Sequence, residues 1–374
     1  SGKNEIKSHR EVIMMNWEIL AQTMPEEING VPIDAAIITS EENCRYISGF
    51  HASARVVVVT REIAYLLTDF RYGEAARMQV KDCKVVVYQK LAKSIEEILR
   101  RHDIRGVLLE HEHLTLAQAD IYETVCKQWN AVPVKDTTLD TLLKEMRAVK
   151  TEKEIENIKA AQSITDAAFT HILDYIDSNK SEREIALELE FFMRKQGAEK
   201  IAFDTIVVSG TNGSMCHGVP SDKKIQKGDF ITMDFGAVVN GYHSDMTRTV
   251  AYGTVSEAQK QVYQTVLQAQ LAAIQTATSG IPCNLVDKAA RDIIDVNYAG
   301  TFGHTTGHAV GLEIHEWPYF APACQVITKP GMVITVEPGI YLEGKFGVRI
   351  EDMVLIQENG CENLTGSSKE LLIL

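Results

Sequence analysis

The sequence of 374 residues has no apolar run near the roughly 18 residues that a membrane-spanning helix requires. It also has no excess of basic residues, because 51 Asp and Glu stand against 38 Lys and Arg and the formal net charge is −13. Nucleic acids and anionic membranes bind basic surfaces, so we expect neither as a partner. The chain opens without a basic segment followed by an apolar stretch, and we expect no signal peptide in it.

Closely spaced cysteines are missing as well. The seven cysteines are an odd number, and no two are closer than 37 positions, which excludes the C-x-x-C pairs of zinc ribbons and thioredoxin-like sites. We therefore expect buried free thiols in a reducing compartment and a cytoplasmic protein.

The N-terminal third alternates strand-like and helix-like segments. Short β-branched runs such as RVVVVT predict strands, and the longer stretches between them predict helices. The predicted strands span 34–39, 55–60, 63–68, 85–88 and 106–109, and the predicted helices span 73–80, 91–102 and 116–129. This order is typical of an α/β domain with crossover connections. After a short strand in VPVKDTT (132–138) the chain turns polar, so we expect domains of residues 1–137 and 138–374.

The second part begins with a predicted long helix at 151–176, where apolar residues recur at helical spacing. Ser181 and Glu184 form a capping-box pattern that begins another helix, which ends at Gly197. From Thr205 onward strands and glycine-containing turns dominate. Two helices interrupt them, at 256–278 and 285–298. The whole chain is therefore predicted to be of mixed α/β (α+β) class.

The segment ITMDFGAVVNGYHSDMTRTV (231–250) predicts a β-hairpin. Its Asn240-Gly241 dipeptide is a strong signal for a two-residue type I′ turn.

With that turn, two aspartates fall on one face of the hairpin. Asp234 faces Thr247 and Asp245 faces Gly236, which makes the aspartates a diagonal pair about 7–8 Å apart at the backbone. Two converging carboxylates repel each other unless a cation lies between them. We interpret them as candidate metal ligands, and a solvated hairpin face with two unrelated acids is the alternative.

A second window, FGHTTGHAVGLEIHE (302–316), contains His304, His308 and His315 among glycines. Three clustered histidines favour a metal site or a catalytic pocket over a packed core. No Glu follows the first histidine of the H-x-x-x-H pair, so this is not a zincin helix.

A third window, VITVEPGIYLEGKFGVRIEDMVLI (333–356), places Glu337 and Glu351 within apolar β runs, where an unpaired carboxylate is costly. A buried ion pair with Arg349 is the alternative to metal ligation. Four carboxylates and one imidazole form a hard, oxygen-rich set of donors. Such a set suits a dinuclear Mn²⁺, Co²⁺, Zn²⁺ or Fe²⁺ site with open positions for water.

Taken together, these windows resemble the metallopeptidases of the pita-bread fold, which include methionine aminopeptidase, aminopeptidase P and prolidase. The matching motifs are D-F-G at Asp234, S-D-M-T-R-T around Asp245, G-H-A-V-G-L-E-I-H-E around His308, V-E-P-G-I-Y at Glu337, V-R-I-E-D at Glu351 and C-H-G around His217. The resemblance implies five metal ligands: Asp234, Asp245, His308, Glu337 and Glu351. It also implies that His217 and His315 are the pocket imidazoles that hold the substrate and its tetrahedral intermediate.

The first part of the chain narrows this resemblance. NCRYISGF (43–50) and TDFRY (68–72) are similar to the N-terminal domain of aminopeptidase P, prolidase and creatinase, which methionine aminopeptidase lacks. Creatinase has lost the metal ligands, whereas all five are present here. The resemblance therefore implies a creatinase-like N-terminal α/β domain, a pita-bread catalytic domain and specificity for Xaa–Pro bonds. It also implies a homodimer or a dimer of dimers.

The expected reaction is hydrolysis of an N-terminal Xaa–Pro bond by a hydroxide that bridges two divalent ions. We expect Mn²⁺, with Co²⁺, Zn²⁺ and Fe²⁺ as alternatives. Glu337 would double as general base, and Arg349 would fix a ligand carboxylate. The expected substrate is a peptide with proline at its second position. We take an Xaa-Pro aminopeptidase as the first expectation and an Xaa-Pro dipeptidase (prolidase) as the alternative, since no motif separates them. A creatinase-like amidinohydrolase and a non-enzymatic binding protein are more distant alternatives.

Three positions depart from the usual family pattern. Thr305 and Ala309 stand where glycines are common, and Trp317 stands where a small residue is usual. We expect the added volume near His308 to narrow the pocket and to change substrate preference rather than metal binding.

Overall fold

The computed structural model describes residues 14–374. The opening segment on which the signal-peptide expectation depends lies outside the described residues. The chain divides into two compact units: an N-terminal unit up to Met146 and a C-terminal unit, Arg147–Leu374. Within the described residues, no helix is both long and apolar enough to cross a membrane.

The N-terminal unit alternates short strands and helices. Its helices are α1 Asn16–Thr23, α2 Glu41–Ser48, α3 Gly73–Gln79, α4 Leu91–Arg101, α5 Leu116–Gln128 and α6 Thr138–Ala148, which crosses the boundary between the units. Its strands are β1 Glu27–Ile28, β2 Val31–Pro32, β3 Ala35–Ile38, β4 Arg55–Thr60, β5 Ala64–Thr68, β6 Lys84–Val87, β7 Gly106–Leu109 and β8 Val132–Val134.

Six of these strands form one mixed sheet in the order β6-β5-β4-β3-β7-β8. The pairs β5/β6, β3/β7 and β7/β8 are parallel, which confirms the predicted crossover connections. The central strands are buried on both faces, so they are continuous apolar runs rather than alternating ones. Ile95 and Leu99 of α4 and Val125 of α5 pack against this sheet.

Helices α1, α2 and α6 were not anticipated from the sequence pattern. In α2, eight residues follow Ser40 and end at Gly49, whose φ of 68° supplies the left-handed C-cap. So short a segment gives too few turns for a clear helical periodicity. The polar stretch near 138, interpreted as a link, begins α6, and the compact units divide near the end of this helix rather than before it.

The C-terminal unit contains four long helices: α7 Glu152–Tyr175, α8 Glu182–Lys195, α9 Glu257–Thr276 and α10 Cys283–Tyr298. Its strands are β9 Lys200–Ile201, β10 Ile206–Ser209, β11 Phe230–Phe235, β12 Ala237–Val239, β13 Tyr242–His243, β14 Met246–Ala251, β15 Gly307–Ala309, β16 Glu316–Phe320, β17 Val333–Val336, β18 Gly339–Leu342, β19 Phe346–Arg349, β20 Asp352–Ile356 and β21 Cys361–Asn363.

The helix starts follow the capping chemistry in the sequence. Thr151, Ser181 and Ser256 each accept a hydrogen bond from the backbone three residues ahead, while a Glu or Gln there reaches back to the cap. The capping box predicted at Ser181 is confirmed. Because each box satisfies backbone donors that the helix leaves free, it sets where the helix begins.

The hairpin register is the one predicted. Asn240 and Gly241 have φ values of 49° and 81°, as a type I′ turn requires at both central positions. The strands that leave the turn pair Val239 with Tyr242, and farther along they pair Asp234 with Thr247. A two-residue loop fixes the pairing of every later residue, so one dipeptide determines which side chains share a face.

Each pair of long helices covers a sheet. Helices α7 and α8 pack against apolar residues of the sheet β10-β11-β14, such as Ile231 and Val250. Helices α9 and α10 pack against the sheet β16-β15-β17-β20-β21 through residues such as Ile334 and Val354. The acids of both sheets lie at strand ends, away from these two apolar cores.

Candidate metal centre and active site

One cavity of about 320 Å³ lies within the C-terminal unit. All of the site residues predicted from the sequence line it: Asp234, Asp245, His308, Glu337, Glu351, His217, His315 and Arg349. The fold thus brings together side chains that are far apart in the chain.

Strand ends position the carboxylates. Asp234 is near the end of β11 and Asp245 directly precedes β14, so the hairpin holds this pair. Glu337 directly follows β17 and Glu351 directly precedes β20, the neighbouring strand of the second sheet.

One backbone hydrogen bond joins the two sheets at the site. The amide of Glu351 donates to the carbonyl of Thr247 at 3.1 Å. Thr247 is the residue that faces Asp234 across the hairpin. The acids of the hairpin and of the second sheet are thereby held at a common edge.

Three candidate ligands form a compact group. One ligand atom from each of Asp245, His308 and Glu351 lies within 4.8 Å of the others. The Nε2 atom of His308 is 3.4 Å from Oδ2 of Asp245 and 3.4 Å from Oε1 of Glu337. Nδ1 of the same ring is 3.1 Å from the Ala309 carbonyl, to which it donates if it carries the proton, and Nε2 is then free to bind a cation.

Two buried carboxylate oxygens fit a bound cation. Oδ1 of Asp234 and Oε1 of Glu351 are enclosed and have no hydrogen-bond partner among residues 14–374. An unpaired buried polar atom is costly, and a coordinated divalent ion satisfies such oxygens. The residues present therefore suit hard divalent metals.

The carboxylates disfavour one another's ionisation when no cation is bound. Burial and the neighbouring carboxylate of Asp234 raise the pKa of Asp245 well above its usual value. Burial and Asp245 do the same for the pKa of Glu351, and burial raises the pKa of Glu337. A bound dication would offset this repulsion.

Arg349 is the buried cation of the site. Its Nη2 donates to Oδ2 of Asp234 at 2.7 Å, and its Nη1 donates to the hydroxyl of Tyr341 at 2.8 Å. Its ion pair is therefore with Asp234, not with Glu337 or Glu351 as the alternative interpretation of those acids required. The guanidinium donates to Oδ2 of Asp234, and Oδ1 has no hydrogen-bond partner among the described residues.

Two buried threonines orient candidate ligands. Thr247 donates to Oε2 of Glu351 at 2.6 Å and accepts from Nε of Arg349 at 3.0 Å. Thr335 donates to Oε1 of Glu337 at 3.2 Å and accepts from the His308 amide at 3.1 Å. Neither was singled out from the sequence as a residue that orients a ligand, although Thr247 stands two residues after Asp245 and Thr335 two residues before Glu337.

His304 differs from the other pocket histidines. Arg349 donates to the Tyr341 hydroxyl, so that hydroxyl donates to Nε2 of His304 at 2.8 Å, and Nδ1 of His304 donates to the Thr305 carbonyl at 2.9 Å. Burial and Arg349 lower the pKa of His304 to about 4. Both ring nitrogens are occupied, so His304 is a neutral structural partner of Tyr341 rather than a candidate metal ligand.

His217 and His315 are exposed at the cavity. The His315 ring meets the His308 ring edge-on, with centroids 4.4 Å apart. Partial desolvation and the charge of His308 lower the pKa of His315. A neutral imidazole can both donate and accept, as contact with a peptide group requires.

Of the three unusual positions, Thr305 alone is among the cavity-lining residues. Ala309 is fully buried in the core beneath the site, and Trp317 packs against the same core. Of these three residues, only Thr305 is therefore placed to narrow the pocket, as expected from the sequence.

The sequence patterns did not identify the apolar wall of the cavity, which Phe203, Ile206, Ile314 and Tyr319 line. Ile206 pairs with Asp234 in β10 and β11, which places an apolar side chain next to the acids. A cavity with acids on one side and apolar side chains on another suits a small, partly apolar peptide.

Two family models match the chain. The model "Metallopeptidase family M24" covers residues 156–358, and "Creatinase/Prolidase N-terminal domain" covers residues 22–149. An Xaa-Pro dipeptidase of Pyrococcus furiosus is 39% identical over 343 residues, which are 91% of this chain and 95% of that protein.

The chain is also similar to solved structures of Xaa-Pro peptidases. An Xaa-Pro dipeptidase from Bacillus anthracis superposes with a TM-score of 0.87 at 41% identity, covering 91% of this chain and 95% of that one. An X-Pro aminopeptidase from Thermotoga maritima superposes with a TM-score of 0.85 at 37% identity, covering 91% and 98%.

Proposed function

The chain belongs to metallopeptidase family M24, and we propose that it is a metal-dependent Xaa-Pro dipeptidase. The C-terminal unit has the pita-bread fold of this family, and the N-terminal unit is of the creatinase/prolidase type. The aminopeptidase was the first expectation from the sequence. The similarity to Xaa-Pro dipeptidases over nine-tenths of the chain favours the dipeptidase instead.

The observation that carries the proposal is the pair of unpartnered buried oxygens, on Asp234 and Glu351, in a cavity with three more potential ligands. We propose that Asp234, Asp245, His308, Glu337 and Glu351 hold two divalent ions. Bound divalent ions lower the pKa of a coordinated water and polarise a peptide carbonyl.

The chain's own groups would perform the proton transfers and hold the substrate. Glu337 is half-buried at the cavity, with Oε1 held by Thr335, and we assign it the role of general base and proton shuttle. His217 and His315 would donate hydrogen bonds to the oxyanion or to the leaving proline nitrogen. Arg349 would keep Asp234 in place through its hydrogen bond at 2.7 Å.

The cavity suits a dipeptide in size and polarity. Its volume of about 320 Å³ is at the lower end of the roughly 300–1,000 Å³ that small-molecule sites span. The carboxylates can receive a free α-amino group, and the exposed imidazoles of His217 and His315 can receive the proline carboxylate. A dipeptide carries both of these charged groups on one small molecule.

Substrate length tests the proposal. Purified protein in Mn²⁺ is offered Ala-Pro, Ala-Pro-Ala and, as a matched control, Ala-Ala. We expect kcat/KM for Ala-Pro to exceed that for both others by at least about tenfold. Equal or faster cleavage of Ala-Pro-Ala would favour an Xaa-Pro aminopeptidase, the second candidate, because this chain is also similar to the X-Pro aminopeptidase from Thermotoga maritima. Cleavage of neither proline peptide would contradict Xaa–Pro specificity altogether.

A further inference from the structure

The loop that carries His217 has little apolar burial of its own. Residues 209–221 run from the last residue of β10 towards β11 and include a 3₁₀ helix, Gly210–Ser214. Met215 and Val219, which flank His217, are 52% and 82% exposed. The side chains on either side of His217 therefore contribute little apolar burial that would hold its position.

Glu182, the first residue of α8, supplies most of those contacts. It is 0% exposed, and its two carboxylate oxygens bind opposite ends of the loop. Oε1 accepts from the amide and hydroxyl of Ser209 at 2.6 and 2.8 Å. Oε2 accepts from the amide and hydroxyl of Ser221 at 3.0 and 2.6 Å. The side-chain amide of Asn212 donates to both oxygens, at 3.1 and 3.2 Å.

We propose that Glu182 is a positioning residue for catalysis. Its carboxylate holds together the two ends of the loop that carries His217. This inference rests on the proposed function, in which His217 contacts the substrate. Charge-assisted hydrogen bonds are roughly twice as strong as neutral ones, and here one carboxylate receives six contacts. A neutral Gln side chain offers one accepting oxygen, whereas the carboxylate offers one for each end of the loop.

The middle of the loop is held to the candidate metal centre. Nη1 of Arg349 donates to the Cys216 carbonyl at 3.2 Å. Gly213 lies so close to Gly347 that a Cβ on Gly347 would be 2.1 Å from the Gly213 carbonyl oxygen. Glu182 thus holds the two ends of the loop, and Arg349, which is paired with Asp234, holds its middle. Loss of the Glu182 contacts should displace His217, while the contact of Arg349 with the Cys216 carbonyl remains.

Glu110 of the N-terminal unit offers a matched control. It is also 0% exposed. Its carboxylate likewise accepts from two backbone amides, two hydroxyls and an Asn amide, those of Thr39, Ser40 and Asn43. It is not among the cavity-lining residues. Glu110→Gln therefore removes the same kind of buried contact elsewhere in the fold.

The kinetic test uses Glu182→Gln, which keeps the shape of the side chain but turns one acceptor into a donor that faces other donors. We expect kcat on Ala-Pro to fall at least about tenfold, because displacement of about 1 Å at a reacting group costs up to roughly 10²-fold. Bound metal should be unchanged. Both Glu182→Gln and Glu110→Gln should lower the melting temperature, but Glu110→Gln should retain wild-type kcat.

A double-mutant cycle separates positioning from general destabilisation. If Glu182 acts through His217, then adding Glu182→Gln to His217→Ala should change kcat less than twofold further. Multiplicative losses in the double variant, or wild-type kcat in Glu182→Gln, would overturn the inference. If Glu182→Gln does not fold, Asn212→Ala removes the donor that both oxygens share and carries the same expectations.

Hydrogen exchange gives a readout independent of activity. Amides of 209–221 should exchange faster in Glu182→Gln than in wild type or Glu110→Gln, and unchanged exchange there would overturn the inference. If wild-type protein cleaves no proline peptide, the proposed function fails, whereas the exchange result still decides whether Glu182 holds the loop. If wild type is active and Glu182→Gln is equally active, the positioning role alone fails.

Discussion

Replacing Thr247 by Val should weaken metal binding, although Thr247 is not itself a candidate ligand. Thr247 is fully buried in β14, and its hydroxyl donates to Oε2 of Glu351 at 2.6 Å. The other carboxylate oxygen of Glu351 has no hydrogen-bond partner in the described part of the chain. In Thr247→Val, Glu351 therefore loses its one side-chain donor and, with it, the constraint on its orientation.

Two independent magnitudes agree for this change. A hydrogen bond to a charged group contributes about 1.5–3 kcal/mol. Loss of a partner that orients a metal ligand typically costs about 10–100-fold in metal affinity. At about 1.4 kcal/mol for each factor of ten, the second range is roughly 1.4–2.8 kcal/mol. We therefore expect Mn²⁺ affinity to fall about 10–100-fold.

Thr249→Val is the matched control. Thr249 lies two residues along the same strand and is 1% exposed. Its hydroxyl contacts the Arg349 carbonyl and the Thr232 hydroxyl, each at 3.0 Å, and neither group is charged. We expect it to cost about 0.5–1.5 kcal/mol of stability with unchanged metal affinity. Competition with a chromogenic chelator measures the affinities, and melting of the metal-free proteins measures stability. Equal Mn²⁺ affinity in Thr247→Val and Thr249→Val would refute this account of Glu351.

The other predictions concern metal, catalysis, pH and assembly. A chelator should abolish activity and Mn²⁺ or Co²⁺ should restore it, whereas full activity with zero measured metal would favour a creatinase-like reaction. His217→Ala and His315→Ala should each lower kcat by on the order of 10²-fold with bound metal intact, and wild-type kcat would refute their catalytic assignment. Burial alone would raise the pKa of Glu316, but Lys150 and Arg147 lower it to about 2, so its stabilising contribution should be present above pH 4.5 and lost as the pH falls towards 2. Glu316→Gln should lower the free energy of unfolding by about 3–5 kcal/mol at pH 7. Between pH 4.5 and 2 the stability of this variant, measured by denaturant titration, should depend less on pH than the stability of wild type. Light scattering should give a dimer or a dimer of dimers, and a mass near 41.6 kDa at micromolar concentration would contradict it.

Local chemistry explains why much of the fold was predictable. The capping residues Thr151, Ser181 and Ser256 stand next to the helices they begin, so the signal and the structure share one stretch of sequence. The strands of the N-terminal sheet were recognisable because both of their faces are buried and their apolar runs are continuous. Helix α6 escaped prediction because the polar stretch that begins it was interpreted as a link, even though this helix is as long as the recognised helix α4.

Some features of the candidate site were likewise predictable from the sequence, and others were not. The hairpin placed Asp234 opposite Thr247 from a dipeptide alone, and the order of the motifs indicated five ligands. The partner of Arg349 was not predictable, since Asp234, Glu337 and Glu351 are all acids within its surroundings and only geometry selects one. The roles of Thr247 and Thr335, which donate hydrogen bonds to candidate ligand carboxylates, could not be predicted either. Threonine is common in strands, and only the tertiary structure shows which carboxylate lies next to it.

By itself, then, the sequence determined the features whose causes lie within a few residues: the helix caps, the type I′ turn, the register it imposes and the identity of the acids and histidines. Only the tertiary structure decided which of these groups meet. Asp245 and Glu351 are separated by more than a hundred positions, and the bond from the Glu351 amide to the Thr247 carbonyl brings their strands to one edge. Such contacts depend on how two helix-covered sheets pack, and that packing results from many apolar residues acting together, so no short motif encodes it.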